Sequence, residues 1–322
     1  MMRQILEKLD QFVGQNKRLV SVLAFLYAAG IATRSIGKVL GFINRQLLPG
    51  YNLIERYGKG SYAAISACTD GIGKGFAIEL AKRGFNLVML IRNVKKGEEL
   101  AEEIKKTINK DIDIRIVEID FQNIQKEGVI ESIIEQMQGL DISILVNNVG
   151  VLIHGPFELY SYSQINKLIS MNVGAQTLLT KGLISQLLKR KQKGAIINLS
   201  SMSSYYPVAG FAMYGGSKSF NNYFSGSLSE EYKGRLDIIA VRPGWVDTPM
   251  TDGMNDKMLE ITQEQCARVV LRQLGRTTLT FGHYKHEITA LLTDLSINLI
   301  NTLQRMKLQG VVLQQSQKYQ KS

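Results

Sequence analysis

Tyr214 and Lys218 stand four residues apart in the segment Tyr214-Gly215-Gly216-Ser217-Lys218. On a helix that spacing puts both side chains on one face, with an ammonium beside a phenol. A phenol of ordinary pKa about 10 is a poor acid–base catalyst at neutral pH until a cation stabilises its phenolate. Alone the spacing is common, and it gains weight from its company. Ser201 lies thirteen residues before Tyr214, just after the apolar run AIINLS, and Ser200, Ser203 and Ser204 compete with it as the hydroxyl of a site. Asn172 falls in MNVGAQ, on an earlier predicted helix.

A second group could hold a nucleotide. Ser66-Ala67-Cys68-Thr69-Asp70-Gly71-Ile72-Gly73 joins a predicted strand to a predicted helix. Glycines there let the backbone approach a pyrophosphate, whose charge a helix N-terminus favours. An NAD-selective site places an acid at the end of the second strand for the ribose 2′-hydroxyl. Here Ile91 takes that place, followed by Arg92, and Lys74 lies in the glycine turn. Two cations and no carboxylate suit a 2′-phosphate, Arg92 above all through its bidentate fork, so the expected cofactor is NADP(H).

Elements that would position these residues alternate along the chain. Strands are predicted at Tyr62–Ser66, Asn86–Ile91, Asp113–Ile119, Ser143–Asn147, Ala195–Ser200 and Asp237–Val241. Helices are predicted at Gly71–Arg83, Lys95–Asn109, Gln125–Gln138 and Gln263–Leu274. Strands alternating with helices of ten to fifteen residues imply right-handed crossovers. The expected class is α/β, a Rossmann-type doubly wound parallel sheet with its ligand at the carboxyl ends of the strands. Residues 51–280 form the expected catalytic domain, between an N-terminal helical extension at 1–50 and an apolar helix with a basic tail at 281–322.

The stretch TDGIGKGFAIELAKRGFNLVML resembles the cofactor loop and first crossover of the short-chain dehydrogenase/reductases. Within that family the chain is similar to membrane-bound very-long-chain 3-oxoacyl-CoA reductases and their 17β-hydroxysteroid dehydrogenase relatives. LLPGYNLIERYGKGSYAAIS resembles the linker between anchor and catalytic domain in that subgroup. The resemblance implies a catalytic tetrad of Asn172, Ser201, Tyr214 and Lys218. It implies cofactor contacts from Ser66, Thr69, Asp70, Gly71, Ile72, Gly73 and Lys74, and from Arg92, Asp120 and Asn147. Tyr214, Lys218, Pro243, Gly244 and Thr248 complete the implied cofactor set. Ser66 and Ala67 depart from the family's Thr-Gly opening, and Val149 replaces a usual Ala. An Ala67 forced to positive φ would cost about 1 kcal/mol.

Charge concentrates at the ends. Residues 1–60 carry nine Lys or Arg against three acids, and residues 303–322 carry four against none, of a total net charge of +11. A nucleic-acid-binding domain would spread its basic charge over the folded surface. End-loaded charge fits an anionic membrane surface better, basic tails that aid solubility being the blander reading. The apolar run Leu19–Thr33 is too short by itself for a bilayer core, so a spanning and an interfacial helix both stay open. The expected location is the endoplasmic reticulum membrane with a cytosol-facing domain, or a mitochondrial membrane. The expected substrate is a 3-oxoacyl-CoA of fatty-acid elongation, with a steroid or other lipid ketone as alternative. Homo-oligomers or membrane-complex partners are open, as is a reading of another class, a non-catalytic subunit with this fold. Cys68 and Cys266 and the three histidines show no metal spacing, so no metal is expected. The Met-rich loop Asp247–Thr262 is expected to be a lid over substrate.

Overall fold

The computed structural model describes residues 2–252 and 257–319. It divides into two compact units, Met1–Leu48 and Pro49–Ser322. The first consists of helices α1 (Met2–Gln15) and α2 (Lys17–Gln46). Val22, Leu23, Phe25 and Leu26 of α2 are exposed. Basic residues interrupt its apolar surface, and no helix among the described residues is long and apolar enough to cross a membrane.

The second unit opens with α3 (Leu53–Tyr57), β1 (Tyr62–Ser66), α4 (Gly71–Lys82), β2 (Asn86–Ile91), α5 (Val94–Thr107) and β3 (Ile114–Glu118). It continues through α6 (Val129–Gln136), β4 (Ile142–Asn147), α7 (Tyr162–Leu168), α8 (Ala175–Lys189) and β5 (Gly194–Leu199). It closes with α9 (Ala212–Glu231), β6 (Leu236–Val241), α10 (Gln263–Gln273), β7 (Leu279–Thr280) and α11 (Tyr284–Tyr319). The seven strands are all parallel in the order β3-β2-β1-β4-β5-β6-β7. Every residue of β4, β5 and β6 is buried. Such continuous apolar runs are what a parallel sheet covered on both faces demands. At the edge, β3 exposes Arg115 and Glu118. Strand order reverses between β1 and β4, so the crevice above their carboxyl ends is the topological switch point.

Three features depart from expectation. The helix predicted over Gln125–Gln138 begins only at Val129, because Gly128 adopts a left-handed φ of 79° that starts the helix afresh. The two-residue β7 is too short to leave a periodic signal. The apolar helix expected within 281–322 runs on through most of the basic tail as one 36-residue helix, α11. Asn301 of α11 accepts the Ala209 N–H at 3.1 Å and donates to Pro207 O at 3.0 Å.

At the other end of the sheet a partly buried ion pair fastens α3 to β6. Arg56 donates to both carboxylate oxygens of Asp237, at 2.6 and 3.1 Å, and the Tyr57 hydroxyl donates to it at 2.8 Å. Burial pushes the Asp237 carboxyl up, and the bonds from Arg56 and Tyr57 more than reverse this, holding it below its ordinary range.

Candidate active site

The glycine turn is built for close backbone approach. A Cβ at Gly73 would lie 2.5 Å from Ala67 O and 2.5 Å from Asn148 Nδ2, and one at Gly75 would lie 2.3 Å from Gln263 O of α10. Gly71 has φ 51° and Ala67 has φ 53°, the one non-glycine residue with positive φ among those described. Asp70 makes no side-chain cap, and the first-turn N–H groups of α4 have no partner within the helix. Ala67→Gly is expected to raise stability by up to about 1 kcal/mol, the released strain exceeding the entropy that glycine adds to the unfolded chain. A urea midpoint at or below that of the parent would contradict this.

Several residues implied by the family resemblance are placed differently. Ser66 is buried and braces β1 against β4, donating to Val146 O at 3.2 Å and accepting from Asn148 N at 2.9 Å. Asn147 also points away from the crevice. It donates to Thr180 Oγ1 at 3.0 Å and Asn198 Oδ1 at 2.8 Å, stitching β4 to α8 and β5. Asn148 does the work at the turn, donating to Ala67 O at 3.0 Å. Lys74 pairs with Glu103 on α5 at 2.9 Å and does not line the cleft. Ile72 packs into the core.

A cleft of about 370 Å³ runs over the switch point. Thr69, Asp70, Arg92 and Asp120 line it, joined by Lys96 and Lys167, which the sequence reading did not single out. Lys96 lies 4.0 Å from Asp70, and its position on the first turn of α5, beyond Arg92, was the available signal. Asp120 turns the chain at the cleft wall by accepting from Gln122 N and Asn123 Nδ2, at 3.1 and 2.9 Å. With the uncapped start of α4 following Asp70 and with Arg92, Lys96 and Lys167 in the lining, these residues fit a phosphorylated dinucleotide. Thr248 lies over Gly71, with its Cγ2 3.1 Å from where a Cβ would be. The Pro243-Gly244 segment is held between Met202, whose N–H donates to Pro243 O at 2.9 Å, and His286, which bonds Trp245 O at 3.0 Å.

The four tetrad positions come together beside this cleft. Tyr214 and Lys218 occupy the first two turns of α9 and are 8% and 4% exposed. Lys218 Nζ lies 5.9 Å from the Tyr214 ring centre and donates to Leu199 O at 3.0 Å. Burial pushes its ammonium down to about 8. Burial raises the Tyr214 phenol, and the hydrogen bond with Ser201 works against that rise. Gly215 makes the approach possible, since a Cβ there would lie 2.9 Å from Ser203 O. Asn172 sits in a π-helical turn, Ile169–Gly174, between α7 and α8, a distortion frequent at functional sites. Its Oδ1 accepts the Val151 N–H at 2.8 Å, and its Nδ2 donates to Val151 O and Ser217 Oγ, both at 3.0 Å. A Cβ on Gly150 would lie 3.1 Å from Lys218 Nζ and 3.4 Å from Asn172 Oδ1, so both polar ends face one narrow gap.

Among the competing serines, Ser200 is turned inward to Lys218 O at 2.7 Å, and Ser204 to Ser201 O and Asn222 Nδ2. Ser203 bonds Ser201 Oγ at 2.7 Å, and Ser201 is the serine whose hydroxyl bonds the Tyr214 phenol. Aromatic groups continue outward from the phenol. Phe211 meets Tyr214 edge-on at 6.3 Å, and His154 stacks on Phe211 at 5.4 Å. Cys68 is buried, with its thiol pushed up to about 12 by burial, which suits packing rather than reactivity. Of the Met-rich loop, Val246 and Ile261 pair at its base, and residues 253–256 lie outside the described residues.

The family profile described as short chain dehydrogenase matches residues 61–259. The chain is 37% identical over 237 residues to 17-beta-hydroxysteroid dehydrogenase type 3 of Homo sapiens, covering 72% of this chain and 74% of that protein. It is 30% identical over 268 residues to very-long-chain 3-oxoacyl-CoA reductase-B of Danio rerio, covering 82% and 84%. Among solved structures, a 7beta-hydroxysteroid dehydrogenase aligns with a TM-score of 0.65 at 22% identity, over 76% of this chain and 95% of its own. The short-chain dehydrogenase from Sphingobium yanoikuyae in complex with NADPH aligns at 0.62 and 22%, over 74% and 95%, a likeness of fold. A profile spanning most of the chain, and relatives that share its length as well as its sequence, leave one assignment: the chain belongs to the short-chain dehydrogenase/reductase family, NAD(P)(H)-using oxidoreductases of CH–OH and C=O groups.

Proposed function

We propose that the chain is an NADPH-dependent reductase of lipid ketones, converting a 3-oxoacyl-CoA to its 3-hydroxy form in fatty-acid elongation. The observation that carries the reductase reading is the buried Tyr214–Lys218 pair meeting Ser201 beside an open, cation-lined cleft. When bound, the reduced nicotinamide supplies the hydride that adds to the carbonyl carbon. Tyr214 gives its phenolic proton to the carbonyl oxygen, and Ser201 donates a hydrogen bond to the same atom as negative charge grows there. Lys218, held from behind by Leu199 O, offsets charge on the phenolate. Asn172 and Lys218 face the gap at Gly150, where a water would return a proton to the tyrosine. The turn of α4 would hold the pyrophosphate, and Arg92 and Lys96 the 2′-phosphate.

Arg92 is exposed at the cleft and has no ion-pair partner among the described residues, so its fork is free for a phosphate. Arg92→Ala is expected to weaken NADPH about tenfold or more, the worth of a charged hydrogen bond, and to leave NADH affinity nearly unchanged. Fluorescence titration with both nucleotides reads this directly; equal weakening of the two would remove the basis for NADPH selectivity.

An apolar substrate is supported by the aromatic wall of His154 and Phe211 and by the exposed Leu292, Leu299 and Leu303 along α11. A steroid is the second reading, favoured by the 37% identity to a human 17-beta-hydroxysteroid dehydrogenase. Comparing kcat/KM for 3-oxoacyl-CoAs of increasing length with that for a 17-ketosteroid separates them. The basic, apolar-faced helices α1 and α2 support residence at an anionic membrane surface, proposed to be the endoplasmic reticulum, with the catalytic unit in the cytosol. A homo-oligomer or a membrane complex is compatible with this placement.

A further inference from the structure

The tetrad leaves open what orients the hydroxyl of Ser201. A serine hydroxyl has one proton and two acceptor sites. Ser201 Oγ accepts the Ser203 N–H at 3.2 Å and shares a 2.7 Å bond with Ser203 Oγ. If Ser201 were the donor in that bond, its proton would be spent and none would face the substrate oxygen. With Ser203 as donor, both acceptor sites of Ser201 are filled and its proton is left free for an acceptor outside the serine turn. The neighbouring hydroxyls do not compete for Ser203. Ser200 donates to Lys218 O, Ser204 to Ser201 O, and Ser219 to Ser204 O and Gly215 O. Among the described residues the hydroxyl of Ser203 bonds to Ser201 Oγ alone. Its place is fixed as well: the Ser203 carbonyl abuts Gly215, next to Tyr214, so closely that a Cβ there would lie 2.9 Å away. Serine turn and tyrosine helix are thereby locked in register.

We propose that Ser203 is a positioning residue, the rear member of a hydroxyl relay from Ser203 through Ser201 to the phenol of Tyr214 and the substrate oxygen. The inference rests on the carbonyl-reductase reading and deepens it. Ser203 touches neither substrate nor cofactor. It acts by holding Ser201 in the single rotor that donates, and by polarising that donor, since linked hydrogen bonds strengthen one another. Lacking Ser203 Oγ, Ser201 is free to turn its proton elsewhere, and the growing oxyanion loses a preorganised partner.

Ser203→Ala and Ser203→Thr are the variants to compare with the parent and with Ser201→Ala, all as the full chain with NADPH. Reduction is assayed on a 3-oxoacyl-CoA and on a 17-ketosteroid. Ser203→Ala is expected to lower kcat about five- to twentyfold with KM and NADPH affinity within about twofold, and Ser203→Thr to restore most of the loss. Independently of turnover, carbon-13 labelling at tyrosine Cζ follows Tyr214 ionisation by NMR, with Tyr214→Phe identifying the resonance. Ser203→Ala should raise the Tyr214 pKa by about half a unit or more, because the phenolate loses the strengthened donor. A parent-like kcat and an unmoved Tyr214 titration in Ser203→Ala would overturn the relay, as would failure of threonine to rescue. A parent that reduces neither ketone, yet shows the Tyr214 shift, would keep the relay and sink the reductase reading.

Discussion

Tyr214→Phe is expected to lower carbonyl reduction about a hundred- to ten-thousandfold, the usual worth of a positioned proton donor, without weakening NADPH binding. The substitution removes one oxygen and keeps the ring that packs edge-on against Phe211. The hydroxyl is buried and faces Ser201, so no bulk water stands ready to replace its proton. Burial raises the phenol, which keeps it protonated at neutral pH and ready to donate in the reductive direction. Single-turnover reduction measures the proton-transfer step apart from product release. A loss smaller than tenfold would move the donor role to another group, with Ser201 the first candidate.

Lys218→Met is expected to abolish measurable turnover and at the same time to stabilise the fold at neutral pH. Activity goes because the phenolate loses its only adjacent cation among the described residues. Stability rises because the ammonium is buried at a cost: its ordinary pKa of 10.5 is pushed down to about 8. The unfolded chain therefore holds a proton between pH 8 and 10.5 that the folded chain has released. The penalty on the parent is complete below pH about 8 and fades as pH rises toward 10.5. The methionine variant carries no such penalty, so its advantage is largest at pH 7, about 3 kcal/mol, and vanishes near pH 10.5. Leu199 O, which Lys218 vacates, still accepts from Asn221 Nδ2 at 3.2 Å, so no buried carbonyl is orphaned. Melting temperatures of the two proteins at pH 7 and pH 10 check this; a variant less stable at both would show that the ammonium contributes net stabilisation.

Much of the fold was legible because a doubly wound sheet writes itself into local patterns. The strands at Tyr62–Ser66 and Asn86–Ile91 fall where the apolar runs end on turn residues. Tyr214 and Lys218 were readable because helix geometry turns four residues of sequence into one face. Side-chain direction was not. Asn147 and Asn148 are neighbours of one type, and their opposite roles follow from the alternation of a strand end, with Asn147 facing α8 and Asn148 the glycine turn. Lys74 and Lys96 are both plausible phosphate ligands by position, and the presence of Glu103 within reach of one of them decided between the two. The π-helical turn at Asn172 left no trace, since one extra residue per turn is invisible to a search at the α-helical period. Ala67 was legible as a departure, and its positive φ shows that the turn keeps its shape with a side chain present.

The pairing of Arg56 and Tyr57 with Asp237 decides where this enzyme can be cut. The family profile begins at residue 61, which invites excision of everything before the first strand. Such a truncation would take away both close partners of a buried carboxylate and leave it with Lys193 at 3.5 Å. Removing the partners of a buried charge costs up to about 3–5 kcal/mol, a large part of the margin on which a domain stands, and the longer Lys193 pair would offset only part of it. Trimming ahead of Pro49 keeps the pair, and also the hydrogen bond that the Arg276 guanidinium donates to Pro49 O. A fragment that keeps this ion pair therefore starts about a dozen residues earlier than the family profile, at the boundary where the second compact unit begins.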